Sequence, residues 1–133
     1  MRFLKVYDLA EDVRHIAAVQ SATLETTDFG LVPRHGLFGS ADWWTAVDDG
    51  RIRVHSVEGI ISRVYMASMN DWPEFELNDR GHLSTWPRLG DPRSYVVGQK
   101  AKIEFVQQEF KKPLPGKRDP KHKIVLRQWL EFD

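Results

Sequence analysis

Aromatic and basic side chains lie close together in the middle of the chain, a combination that could bind single-stranded nucleic acid. The aromatic members are Phe75, His82 and Trp86, and the cations nearest to them are Arg63 and Arg80. Aromatic rings stack on bases, which contributes about 1–3 kcal/mol per base, and cations neutralise the phosphates. The alternative is that the aromatic residues form a hydrophobic core and the arginines are solvated, which the zero net charge of the chain favours.

A second group of cations lies near the C-terminus. Residues 111–123 contain three prolines, one glycine and six Lys or Arg residues, which predicts an exposed loop. We assign to the same nucleic-acid-binding surface the cations Lys111, Lys112, Lys117 and Arg118. This loop could contact phosphate or an acidic protein surface. The alternative is a hairpin tip that its charge keeps soluble.

The residue types that carry catalysis or bind metals show no useful spacing. The chain has no cysteine, which excludes thiol nucleophiles, thiolate metal sites and disulfides. Its five histidines are 20, 20, 27 and 40 residues apart, unlike the short spacings of metal ligands. Glu74 and Glu76 share one face of a predicted strand, but nothing indicates a cleft that would give them different environments. We therefore expect no catalytic residue, no metal and no cofactor.

Length and composition predict a single domain over residues 1–133. Hydrophobic residues make up 41% and charged residues 29%, which is ordinary globular usage. Lys5 and Asp8 interrupt the N-terminal apolar residues, so no signal peptide is predicted. No run of 18 apolar residues predicts a membrane span. Cytoplasmic residence is the expected location, and the oligomeric state is left open.

Short alternating segments, separated by turns, predict an all-β fold. Strand patterns cover residues 60–66, 74–77, 82–86, 100–106 and 124–132. We expect residues 1–50 to add N-terminal strands, including one over residues 16–27 that is rich in Thr and Val. Residues 51–133 would form a barrel-like core, which begins with the alternating segment 51–55.

One short helix is predicted over residues 41–48. Ser40 can cap its N-terminus, Asp42 lies in its first turn, and Gly50 can end it. The alternative is a hairpin that turns at Asp49 and Gly50. With the helix included, we expect a small OB-like barrel of six or seven mostly antiparallel strands.

Residues 59–129 resemble the OB-fold RNA-binding barrels that occur as repeats in small-subunit ribosomal proteins and in cold-shock proteins. The matching segments are Gly59-Ile60-Ile61-Ser62-Arg63-Val64, Phe75-Glu76-Leu77, Gly81-His82-Leu83-Ser84, residues 95–103 with the entry Gly98-Gln99-Lys100, and Lys123-Ile124-Val125-Leu126-Arg127. The resemblance implies that Phe75 and His82 occupy positions that stack on bases in that family.

Two classes of non-catalytic binding module follow from these observations. The first is an OB-like domain that binds single-stranded nucleic acid. The second is a bacterial protein-interaction module, such as an immunity or antitoxin-like protein, in which the acidic first half or exposed aromatic residues meet a protein partner. Residues 1–60 carry nine acidic and six basic residues, which is consistent with such a surface. An enzyme is the least favoured class.

Overall fold

The structure, a computed structural model, describes residues 2–111 and 121–132. Its elements in chain order are β1 (Arg2–Asp8), a 3-10 turn (Leu9–Glu11), α1 (Val13–Glu25), α2 (Ala41–Asp48), β2 (His55–Ala67), β3 (Trp72–Asp79), β4 (His82–Pro87), a second 3-10 turn (Pro92–Ser94), β5 (Lys100–Glu109) and β6 (Lys121–Phe132). The strands form one sheet in the order β1-β6-β5-β2-β3-β4. The β1–β6, β2–β3 and β3–β4 pairs are antiparallel.

The predicted all-β class, with six mostly antiparallel strands, is confirmed. Two details differ from the prediction. The sheet is open, since β1 and β4 are the end members of its strand order, and it is not closed into a barrel. The part of the chain that the structure describes also contains two α-helices, where one was predicted.

The strand predicted over residues 16–27 was wrong, because most of this segment belongs to α1. The side chain of Asp12 caps the helix by accepting a hydrogen bond from the backbone N–H of His15. Side chains less exposed than their neighbours recur mostly at helical spacing, namely Ile16, Val19, Gln20, Ala22 and Thr23, of which Thr23 is buried. Thr and Val have strand propensity, but burial of this face decides the structure.

The predicted helix over residues 41–48 is confirmed as α2, and the hairpin alternative was wrong. Ser40 accepts a hydrogen bond from the backbone N–H of Trp43, as an N-cap residue does. The segment 51–54, however, lies outside the strands, and β2 begins only at His55. The Asp49 carboxylate binds both the backbone N–H and the guanidinium of Arg51, which holds a turn at this point.

The chain forms two compact units, and β5 and β6 contribute residues to both. The first, called the sheet unit here, comprises the described residues 2–8, 56–104 and 127–132. Strand register places Val64, Phe75 and Trp86 on one face and Arg63, Glu76 and Thr85 on the other. The first face holds the core of this unit, which includes Ile61, Phe75, Leu77, Trp86, Tyr95, Ala101, Ile103 and Leu130.

A buried polar contact joins β6 to the connection between β4 and β5. Gln128 is only 1% exposed. Its Nε2 donates to the carbonyl oxygen of Pro87 at 3.0 Å, and its Oε1 accepts from the Tyr95 hydroxyl. That hydroxyl also lies 2.7 Å from the carbonyl oxygen of Leu89. Burial raises the pKa of Tyr95, so the hydroxyl stays protonated and available as a donor.

The second unit, called the helical unit here, comprises the described residues 9–55, 105–111 and 121–126. Trp43 is the largest buried side chain of this unit, and its ring meets those of Phe38 and Trp44 edge to face, each at 4.9 Å. Its indole Nε1 donates to Gln108 Oε1 at 2.8 Å. This hydrogen bond fixes α2 against β5.

We expect the substitution Gln128→Leu to lower the free energy of unfolding by about 1–3 kcal/mol, because the Pro87 carbonyl loses its donor inside the protein. Urea denaturation measures the change. Tyr65→Phe is the matched control, since the Tyr65 hydroxyl donates to Glu74 at a less buried position. The control should cost no more than about 1 kcal/mol. Equal stability of Q128L and the wild type would contradict the structural role of this contact.

Candidate functional site

The aromatic residues predicted to stack on bases lie mainly in the core. Phe75 is 0% exposed and Trp86 is 2% exposed, and the Phe75 ring packs on that of Tyr95 at 5.1 Å. A base needs an accessible ring face, which neither side chain offers. The stacking role given to these two residues is therefore corrected to core packing.

The remaining predicted residues of the sheet unit are not brought together into one surface. Arg63 pairs in register with Glu76, so it points away from the face that holds Phe75. Its guanidinium lies over the Tyr65 ring, 4.1 Å from the centroid. His82 is exposed at the start of β4, and Arg80 lies in the β3–β4 turn with positive φ.

Lys111 has a structural role in the helical unit. Its ammonium group donates to the carbonyl oxygens of Thr23 and Thr26 at the C-terminal end of α1. A cation at this position satisfies the free carbonyls and interacts favourably with the helix dipole. The other cations assigned to this loop, Lys112, Lys117 and Arg118, lie outside the described residues.

The helical unit contains a cleft of about 250 Å³ that the sequence did not predict. We call it the cationic cleft, because four cations and one carboxylate line it: Arg34, Arg51, Arg53, Lys121 and Glu109. His35, His55, Gln107 and Gln108 add polar groups, and Val32 and Ile52 add apolar ones. Four segments build the cleft, namely the loop before α2, the segment that follows it, the end of β5 and the start of β6.

Two of the cleft arginines are held in place by carboxylates. Arg34 donates from Nε and Nη2 to Glu109 Oε2, at 3.2 and 2.7 Å. Arg51 donates from Nε to Asp49 Oδ2 at 2.9 Å. The backbone N–H of Arg51, and after it the guanidinium, lower the pKa of Asp49, so this carboxylate stays ionised. Arg53 forms no ion pair or hydrogen bond with any described residue.

A flank of α1 exposes apolar side chains. Val13 is 69% exposed and Leu24 is 72% exposed, and their separation of eleven residues places them within about 20° around the helix axis. Phe29, which follows the helix, is 68% exposed. Val13 and Leu24 are about 16 Å apart along the axis of α1, so they are separate apolar contact points on one side of the helix and do not form one continuous patch.

Other kinds of site find no support in the described ranges 2–111 and 121–132. These residues contain no group of three or more His, Asp or Glu side chains that could hold a metal ion. Within the same ranges, no helix is both long enough and apolar enough to cross a membrane. The helical unit offers the cationic cleft and exposed apolar side chains, and the sheet unit exposes further apolar side chains at Met69, Trp72, Leu83, Val96 and Val97, which is consistent with a protein-interaction module.

Comparison with known proteins agrees with this class and specifies it. Residues 3–128 match the family model described as Immunity protein RhsI2. The chain therefore belongs to the RhsI2 immunity protein family. No curated protein matches it.

This family match overturns the resemblance to OB-fold RNA-binding barrels, which was wrong. The segments that carried the resemblance are strands and turns of an open sheet. Nucleic-acid binding has no support from the family match, whereas the alternative of a bacterial immunity protein does.

The sequence contained a signal for the cationic cleft that was interpreted differently. Residues 51–55 alternate polar and apolar, which we interpreted as a half-buried strand. The segment is not a strand, yet Arg51, Arg53 and His55 all line the cleft, and Ile52 between them is buried. The alternation thus indicated that Arg51, Arg53 and His55 lie on the same side of their segment. It could not indicate Arg34 and Glu109, which line the same cleft but are distant in sequence.

We expect Phe75→Ala to lower the free energy of unfolding by about 3–5 kcal/mol, because it leaves a cavity in the core. His82→Ala is the control, and its effect should stay within about 0.5 kcal/mol because His82 is exposed. Chemical denaturation of both variants tests the placement. A stable F75A protein would mean that Phe75 is not a core residue.

Lys111→Met should lower the free energy of unfolding by about 1–2 kcal/mol, because the carbonyls of Thr23 and Thr26 lose a charged donor. Faster amide hydrogen exchange in the last turn of α1 should accompany the loss. Lys100→Met removes only the exposed ion pair with Glu58 and should cost about 0–1 kcal/mol. Equal effects of the two substitutions would contradict the capping role.

Proposed function

We propose that this chain is the immunity protein of an Rhs toxin and neutralises that toxin by binding it directly. The observation that carries the proposal is the family match, which extends over residues 3–128 and so includes residues of both compact units. The cationic cleft and the apolar flank of α1 therefore lie within the matched segment.

The accessible surface of the helical unit supports a protein partner. Interfaces combine apolar side chains, which provide burial, with charged groups that select the partner. Val13, Leu24 and Phe29 supply the first kind of group, and the arginines of the cationic cleft supply the second. A standard interface buries about 800 Å² on each partner, which is about a tenth of the accessible surface of the whole chain, 8566 Å².

Neutralisation by binding has a stoichiometric consequence. Each copy of the chain would occupy one toxin molecule and would keep it inactive only while the complex lasts. Protection would therefore follow the ratio of the two proteins and the dissociation rate of the complex. A protein that destroyed or modified the toxin would instead protect at ratios far below one to one.

The test uses the full chain and the cognate Rhs toxin domain from the same genomic locus. We expect co-expression to restore growth of cells that the toxin alone stops, and we expect an inactive toxin variant to co-elute with the chain at one to one. Binding should also raise the unfolding temperature, because a ligand at 100 times its Kd stabilises the folded state by about 2.7 kcal/mol.

Two controls make the result specific. A toxin domain from an unrelated Rhs protein should neither co-elute nor be neutralised. Nuclease treatment of both proteins before mixing should leave the complex intact, since no nucleic acid would bridge them. Failure of the chain to bind its cognate toxin, or protection at strongly substoichiometric amounts, would overturn the proposal.

A further inference from the structure

We infer that the cationic cleft of the helical unit is a binding site for an acidic side chain of the toxin, an Asp or Glu carboxylate that contacts Arg53 in the cleft that Arg34 and Arg51 also line. This inference rests on the proposed function, because it names the chemistry of that partner. It also places one part of the interface on the described residues 32–55, 107–109 and 121.

The charge of the cleft favours an anion. Four cationic side chains line it against the single carboxylate of Glu109. With Lys121 set aside because it has a contact of its own, and with Asp49 counted through its pair with Arg51, three arginines stand against two carboxylates. A concave site lined mainly by charges of one sign concentrates the electrostatic field and attracts groups of the opposite sign.

The two paired arginines prepare the site for a ligand. Arg34 and Arg51 each form an ion pair with a carboxylate on one side of the guanidinium, and both side chains remain more than half exposed. A guanidinium has five donors, so each retains donors for a second acceptor. Binding to groups that are already positioned loses less conformational entropy than binding to free side chains. Arg53 has no such partner among the described residues, so its guanidinium is available to an acceptor from outside.

The size and lining of the cleft favour an amino-acid side chain over a small free anion. A volume of about 250 Å³ exceeds what a single carboxylate or phosphate group would fill. Val32 and Ile52 offer apolar contacts to the methylene groups of an acidic side chain. Gln107 offers an amide that can bind a neighbouring peptide group, and Gln108 keeps its Nε2 as a donor while its Oε1 accepts from Trp43. An acidic residue with its flanking backbone uses all three kinds of contact.

The central experiment measures the Kd of the inactive toxin domain for the full-length wild-type chain and for two variants. Arg53→Glu should weaken binding about 10- to 100-fold, because it places a negative charge against the acidic side chain. Glu109→Gln should strengthen binding about two- to fivefold, because it removes the one negative charge that lines the cleft while its amide oxygen can still accept from Arg34. The salt dependence of the association rate should decrease in R53E.

A matched pair of variants distinguishes the effect of a position in the cleft from the effect of losing the local contacts of an arginine. Arg51 and Arg93 each bind an aspartate two residues earlier, through the backbone N–H and the guanidinium. Arg51 lines the cleft, whereas Arg93 belongs to the sheet unit. R51A should weaken toxin binding about 3- to 10-fold, and R93A should leave it unchanged. Urea denaturation should show that all four variants keep the stability of the folded state.

The possible outcomes are distinct. Wild-type Kd values for R53E, E109Q and R51A would place the cleft outside the interface and overturn the inference, while the proposed function would stand. Tighter binding by R53E with weaker binding by E109Q would also overturn it, because the occupant would then be basic. Loss of nucleic-acid binding in R53E at an unchanged toxin Kd would assign the cleft to phosphate groups. A wild-type chain that does not bind the toxin would remove the proposed function itself.

Discussion

Successive side chains of β3 point to opposite faces of the sheet, and this alternation determines which of its side chains can reach a partner. Phe75 and Leu77 face the core, so the side chains between and beside them must face the other way. A shift of one residue would expose the whole apolar row, which makes this register strongly specified. The aromatic ring that looks suitable for stacking on a base is therefore committed to the core by the same pattern that makes β3 a strand.

The outer face of the sheet unit meets most of its polar requirements internally. Glu76 accepts from the Ser62 hydroxyl, and Glu104 accepts from the guanidinium of Arg127 at 2.6 Å. Lys102 lies over the Trp129 ring, 5.1 Å from the centroid. Groups that already have partners gain little from a new one, because each existing contact must first be lost. The helical unit differs, since its cleft keeps more cations than carboxylates.

How far the sequence predicts this structure depends on the range of the interactions concerned. Local signals succeeded where one cap or one alternating run decides the result, as for Ser40 at the start of α2 and for β5. The prediction failed for α1, because strand propensity was weighed above the helical spacing of its buried face. The alternation of Glu74, Phe75, Glu76 and Leu77 already indicated that Phe75 faces a core.

The order of the strands and the composition of the cleft lie beyond such local signals. The resemblance to OB-fold barrels rested on short segments, such as a strand preceded by Gly98-Gln99, that fit many sheets equally well. Strand order depends on pairings between distant residues, including β1 with β6. Arg34 meets Glu109 across 75 positions of sequence, and no spacing rule predicts such a pair. A site built from four separate segments can be recognised only when those pairings are known.

Within the helical unit, apolar and charged groups would contribute differently to recognition. Burial of Val13, Leu24 and Phe29 would supply affinity for many apolar surfaces, since the hydrophobic effect has no direction. An arginine cleft accepts an acidic side chain only at one position and in one orientation, and it opposes a basic one. The proposed function would use such a difference, because it favours one toxin surface over others of different charge. The cleft is thus the part of this surface best suited to distinguish partners, while the apolar groups favour association in general.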